Sequence, residues 1–208
     1  MLYFSGQTES SLLYRKTKRD EIIPICTGVY TDDKTTPLRE QVARNIIDIL
    51  SHQGLRGTFA YRSSIQFPDF TGDEVIVISD RKRDILLPGI VVHVYSGNDR
   101  EKNIDFTSRI LTRAGTPTQM RVPYIERAIL ENMLPQRMAE KRADIPLAEK
   151  HLGKIQAMYG DMAHIRMSIV SEACGLSAAM PIVSEKLFQL QHTQPILSKP
   201  TMRMRAGG

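Results

Sequence analysis

Four cations crowd one short stretch of this chain: Arg15, Lys16, Lys18 and Arg19. On a helix, such a cluster can contact the phosphates of a nucleic acid, meet a partner protein, or lie as a solvated face. All three readings are open. A second anion-seeking group is Tyr61-Arg62-Ser63-Ser64. Arg62 offers a planar fork, and Ser63 and Ser64 are short donors. The same serines can instead cap the helix that follows, which is the favoured reading. The remaining reactive side chains are scattered. His52, His151, His164 and His192 have no cysteine, histidine or aspartate at metal-ligand spacing. Neither Cys26 nor Cys174 stands beside a histidine that would activate it. No glycine-rich phosphate loop is present. No catalytic residue, metal or cofactor is therefore expected.

The elements that would position these residues are legible in outline. Thr8 to Arg19 reads as a short helix capped by Thr8, with Leu12 and Leu13 as its apolar contacts. Glu21 to Thr31 reads as one or two short strands with Gly28 at a turn or bulge. Tyr30 is expected to bury its ring there. One helix is expected from Thr35 to Ser51, on the spacing of Leu38, Val42, Ile46, Ile49 and Leu50. Asp73–Ser79 and Ile90–Tyr95 read as strands joined through the polar turn Asp80-Arg81-Lys82-Arg83. Ile104–Thr112 and Thr118–Val122 read as a hairpin around Gly115.

After Pro123 four apolar sets recur at helical spacing: Ile125, Ile129, Leu130 and Met133; Leu147, Leu152, Ile155 and Met158; Met162, Ile165, Ile169 and Ala173; Val183, Leu187 and Leu190. Asp161 reads as an N-cap, and Gly160 and Gly175 as helix stops. The expected organisation is α+β: a small mixed module with wing-like strands, a helix and antiparallel strands over 1–122, a helical bundle over 123–194, and a basic flexible tail over 195–208.

Composition limits the rest. The chain has 208 residues, of which 41% are hydrophobic and 25% charged, as in an ordinary soluble domain. Its longest apolar run, Ile85 to Tyr95, is too short to span a bilayer, which needs about 20 residues. Two cysteines do not make a secreted disulfide scaffold, so a cytoplasmic location is expected. Lys199, Arg203 and Arg205 carry much of the formal charge of +5, which makes the basic balance largely a property of the tail.

The order of these features resembles a known module. A basic segment, a strand ending Gly28-Val29-Tyr30, a helix and Arg62-Ser63-Ser64 follow one another as in the AbiEi-type antitoxins of bacterial type IV toxin–antitoxin systems. Over Gln7 to Gly208 the chain is similar to the N-terminal half of large Fic-family proteins, at Pro88-Gly89, Arg127-Ala128-Ile129-Leu130-Glu131-Asn132, Tyr159-Gly160-Asp161 and Arg205-Ala206-Gly207. The resemblance implies that Arg15, Lys16, Lys18 and Arg19 lie on the recognition helix of a winged helix-turn-helix, with the Gly28-Val29-Tyr30 strand in its wing. Only seven residues precede Thr8, fewer than the two preceding helices of that pattern require. It also implies a partner protein (a toxin or a Fic domain), with nucleic acid as a second partner. The function expected is that of a non-catalytic, antitoxin-like regulator. The alternative is the truncated regulatory region of a Fic adenylyltransferase.

The Fic signature itself, His-x-Phe-x-Asp/Glu-Gly-Asn-Gly-Arg, is not matched. The nearest segment, His93 to Arg100, is one residue short, lacks the metal-binding carboxylate, and has Asp99 at the second glycine. A strand followed by a polar turn is expected there instead.

Overall fold

The structure, a computed structural model, describes residues 1–97, 108–113 and 116–193. The expected tail 195–208, the Asn98-Asp99-Arg100 segment, Ile104–Thr107 and Gly115 lie outside the described residues. The fold is α+β.

The chain opens with a strand absent from the sequence reading, β1 (Leu2–Phe4). Helix α1 (Ser10–Lys18) follows, and Glu9 rather than Thr8 stands at its N-cap. Strands β2 (Ile23–Cys26) and β3 (Val29–Thr31) form a hairpin, and β1 pairs with the far side of β3, giving an antiparallel sheet in the order β1-β3-β2. Gly28 sits in the hairpin turn at φ +75°, and Ser5 and His52 crowd the place a side chain would occupy. Both facts demand glycine.

The single helix expected over 35–51 is two helices, α2 (Leu38–Arg44) and α3 (Ile46–His52). Asn45 breaks it. Its side-chain amide donates to the Gln41 carbonyl at 2.8 Å, a bond that competes with the helical ladder. Ahead of α2, one Asp33 carboxylate oxygen accepts from the Thr36 and Thr35 backbone N–H groups at 2.9 and 3.0 Å and from the Thr35 hydroxyl at 2.9 Å. These donors, the Thr36 backbone first, hold the carboxyl well below the usual aspartate range. A depressed folded pKa stabilises the fold fully above the unfolded value near 4 and loses that contribution as the pH falls through the lower folded value. An NMR titration should therefore place the Asp33 midpoint below ordinary aspartates. Asp33→Asn should flatten the acid limb of the stability curve. A midpoint near 4 would show that the loop is not held this way.

Strands β4 (Gly57–Phe59), β5 (Glu74–Ser79), β6 (Arg83–Leu87), β7 (Ile90–Ser96), β8 (Ser108–Arg113) and β9 (Thr116–Pro123) build a mixed sheet in the order β6-β7-β5-β4-β9-β8. Neither β4 nor β6 is expected from the sequence. With β6 on the edge, the Pro88-Gly89 turn folds β7 back between β6 and β5, so β5 and β7 run parallel. Helix α4 (Arg62–Gln66) follows β4.

The helical half comprises α5 (Ile125–Asn132), α6 (Pro135–Ala139), α7 (Ile145–Tyr159), α8 (Met162–Cys174) and α9 (Met180–Thr193), with a 3-10 turn at Ser177–Ala179. Asp144 caps α7, accepting from the Leu147 N–H at 3.2 Å, and Gly175 ends α8 in the left-handed conformation. Asp161 stands at the α8 N-cap without a side-chain cap bond.

Two cores result. One joins the small sheet (Phe4, Ile25, Val29), α2–α3 (Val42, Ile46, Ile49, Leu50) and one face of the large sheet (Phe59, Val75, Val77, Val92, Val94, Met120). The other fills the helical half with Ile129, Leu130, Leu152, Met167, Val183 and Leu187, and takes in Ile65 from α4. Between them, on the second face of the large sheet, Ala60, Tyr61 and Ile76 pack with Ile78 and Tyr95. Tyr30, expected inside, is half-exposed. Its neighbours Val29 and Thr31 turn inward instead, because alternate residues of a strand face opposite sides.

Candidate nucleic-acid and partner interfaces

Helix α1 buries Leu13 alone. Its cations divide into two kinds. Lys16 folds back on the small sheet, with Nζ 3.2 Å from the Tyr3 hydroxyl and 4.6 Å from the centre of its ring. The Tyr3 hydroxyl in turn donates to Asp32 at 3.0 Å. Arg15, Lys18 and Arg19 are exposed, as is Tyr14 at 65%. Arg15 Nε donates to the Ser11 carbonyl at 3.3 Å, Lys18 Nζ lies 5.7 Å from the Tyr14 ring centre, and Arg19 lies 3.8 Å from Glu21. These surface contacts are weak and exchangeable. The outer face of α1 thus remains available for anions, while Lys16 serves packing.

The Arg62-Ser63-Ser64 group is built differently. Ser63 is fully buried, and its hydroxyl accepts from the Ile76 N–H at 2.8 Å. The Ser64 hydroxyl donates to the Tyr61 carbonyl at 2.6 Å. Neither serine caps α4, and neither reaches an external anion. Both tie the β4–α4 turn to its surroundings. The Arg62 guanidinium pairs with Glu74. Glu74 also lies 3.6 Å from His93 Nε2, and His93 Nδ1 is 3.2 Å from Asp84. The cross-strand pairing of Asp84 with His93 sets this row along the second sheet face. His93 lies within β7, as a strand residue held by two carboxylates. Arg142 covers the Tyr95 ring at 4.4 Å. Among the described residues, no three histidine, cysteine, aspartate or glutamate side chains gather as metal ligands.

A buried polar clasp joins the two halves. Tyr61 adopts φ +51°, a conformation a tyrosine rarely occupies. Its N–H donates to Glu131 Oε2 at 3.1 Å, and its carbonyl accepts from Asn132 Nδ2 at 2.8 Å. Glu131 Oε1 accepts from Arg127 Nε at 2.8 Å, and Asn132 Oδ1 accepts from the Asp144 N–H at 2.8 Å. Arg137 lies over the Tyr61 ring at 4.5 Å. Burial pushes the Tyr61 phenol upward. From the sequence, Ile129 and Leu130 of this segment are expected on a helix by their spacing, whereas Arg127, Glu131 and Asn132 enter only through the resemblance. The four-residue spacing of Arg127 and Glu131 was the available signal of a pair on one helix face.

The third helical set is inverted. Met162, Ile165 and Ile169, expected in the core, are 58%, 49% and 54% exposed. Helix α8 buries Ala163, Met167 and Ser171 instead. Because apolar residues lie on both faces of α8, their spacing did not reveal which face has a neighbour. Met158, at the end of α7, is exposed as well.

No family model matches the chain, and no curated protein matches it. No helix among the described residues is long and apolar enough to cross a membrane.

Proposed function

We propose that this protein is a non-catalytic, antitoxin-like regulator of the bacterial cytoplasm that contacts nucleic acid through α1 and a partner protein, a toxin or a Fic domain, through its helical half. One observation carries the nucleic-acid reading. Arg15, Lys18 and the C-cap Arg19 stand exposed on a helix set between the first two strands of a β1-β3-β2 sheet. Cations on one helix face suit phosphates, and a neighbouring hairpin suits a wing. The resemblance to AbiEi-type and Fic-associated modules supports the partner class. The exposed Met162, Ile165 and Ile169 support the protein-binding half, since contiguous exposed apolar surface marks contact sites.

The test is a titration of labelled duplex DNA at several salt concentrations, with wild type and an R15A/K18A/R19A variant. Loss of three phosphate contacts should lower the log–log salt slope by about 2.7 and weaken binding at least tenfold. Equal slopes and affinities in the two proteins would remove α1 from the interface.

A further inference from the structure

The turn Asp80-Arg81-Lys82-Arg83 does not stand alone in the fold. A cleft of about 390 Å³ opens beside it, lined by Arg56, Arg81 and Arg83 with Ser79 and Asp80. A second hollow of about 270 Å³ is lined by Arg56, Asp80, Gln119 and Arg121. Arg56 and Asp80 belong to both, so the two hollows adjoin. Arg56 comes from the approach to β4, Arg81 from the β5–β6 connection, Arg83 from the start of β6 and Arg121 from β9. The sheet order that sets β5, β4 and β9 side by side gathers them.

The charge here is poorly balanced. Three guanidiniums line the first cleft against a single carboxylate, Asp80, which accepts from the Ser79 hydroxyl at 3.0 Å. Among the described residues, neither the Arg56 nor the Arg81 guanidinium has a hydrogen-bond or ion-pair partner. Arg83 donates to the Gln53 carbonyl at 3.2 Å. The single Ser79 proton is shared between Asp80 and the Arg56 carbonyl, 2.5 Å from the hydroxyl oxygen, which fixes the backbone that carries Arg56 beside the turn. Like charges held together in a concave site raise the local potential, and an anion relieves their repulsion. Guanidinium forks match phosphate oxygens bidentately.

We infer that this cleft binds consecutive phosphates, those of a nucleotide or of a single nucleic-acid strand. Two hollows sharing Arg56 suit a ligand with more than one phosphate. A duplex is met by elements that protrude into its grooves, whereas a concave basic channel follows one backbone. Among the described residues no aromatic ring lines either hollow, so phosphates rather than stacked bases are gripped and binding tolerates any sequence. Gln53, whose carbonyl holds Arg83, also donates its side-chain amide to the Thr27 carbonyl at 2.8 Å, which sets the cleft beside the β2–β3 turn. The inference is independent of the α1 surface.

The test uses the full chain and three probes: labelled oligo-dT and oligo-U by fluorescence anisotropy, and ATP and pyrophosphate by calorimetry. An R56Q/R81Q variant removes two charges from exposed positions, so its melting temperature should match wild type. The phosphate probe that binds wild type should bind this variant about 100-fold more weakly, about tenfold for each guanidinium. For an oligonucleotide the salt slope should fall by about 1.4. R15A/K18A/R19A should retain this binding, which separates the cleft from the α1 reading. Strand binding that ATP does not displace would identify a nucleic-acid strand as the source, and ATP or pyrophosphate binding would identify a nucleotide. Either supports the inference. Failure of every probe to bind, or undiminished binding by R56Q/R81Q, would overturn it.

Discussion

Arg127→Ala is expected to destabilise the protein by about 3–5 kcal/mol, the scale on which breaking a buried ion pair acts. Arg127 is 1% exposed, and its Nε lies 2.8 Å from Glu131, itself 4% exposed. Removing the cation leaves a carboxylate in the interior with its charge uncompensated. The effect spreads, because Glu131 also holds the N–H of Tyr61 in its positive-φ turn, and that turn brings the β4–α4 connection against α5. A loss of this size is a large share of the ~5–15 kcal/mol that an average domain has in reserve. Urea denaturation of the single variants and of Arg127→Met/Glu131→Met is the measurement. The double variant should lose less than the two single variants summed, since Glu131 is then no longer a buried charge without Arg127. An Arg127→Ala loss below about 1 kcal/mol, or strict additivity, would show that the clasp does not join the two cores.

Phe59→Ala is expected to cost about as much, roughly 3–5 kcal/mol, for an apolar reason. Phe59 is fully buried on β4, with the Phe67 and Phe70 rings each 5.4 Å from its own and those two 5.9 Å apart. Its removal opens a cavity in the larger core and deletes two aromatic pairs worth about 0.5–1.5 kcal/mol each. Tyr30→Ala is the contrast. Tyr30 is half-exposed, so the cavity term largely disappears and its melting temperature should stay much nearer wild type. Thermal melts of both variants decide this. Equal losses would mean that the Tyr30 ring is as enclosed as Phe59.

Much of the local structure was legible because local physics decides it. Val42, Ile46, Ile49 and Leu50 recur at helical spacing and are buried. Gly175 ends its helix in the left-handed conformation, as its place between two helical sets implies. The break at Asn45 was overlooked because apolar spacing continues across it, while the break comes from one side-chain hydrogen bond. β4 was hidden by its length: three residues between Arg56 and Ala60 carry no period that could be read. The serines of Arg62-Ser63-Ser64 suited either an anion or a cap, and the fold uses them for neither.

The amino-acid sequence alone determined the α+β content, the helical second half, the basic face of α1 and the placing of His93 on a strand, since each depends on residues near one another in the chain. Only the tertiary structure decided the strand order, the outward turn of Met162, Ile165 and Ile169, the Tyr61 clasp and the meeting of Arg56, Arg81, Arg83 and Arg121. The physical reason is common to all four. Periodicity reveals that a residue has a face but not what lies against it, and charge counted along the chain cannot show which cations a non-sequential sheet order will bring to one edge.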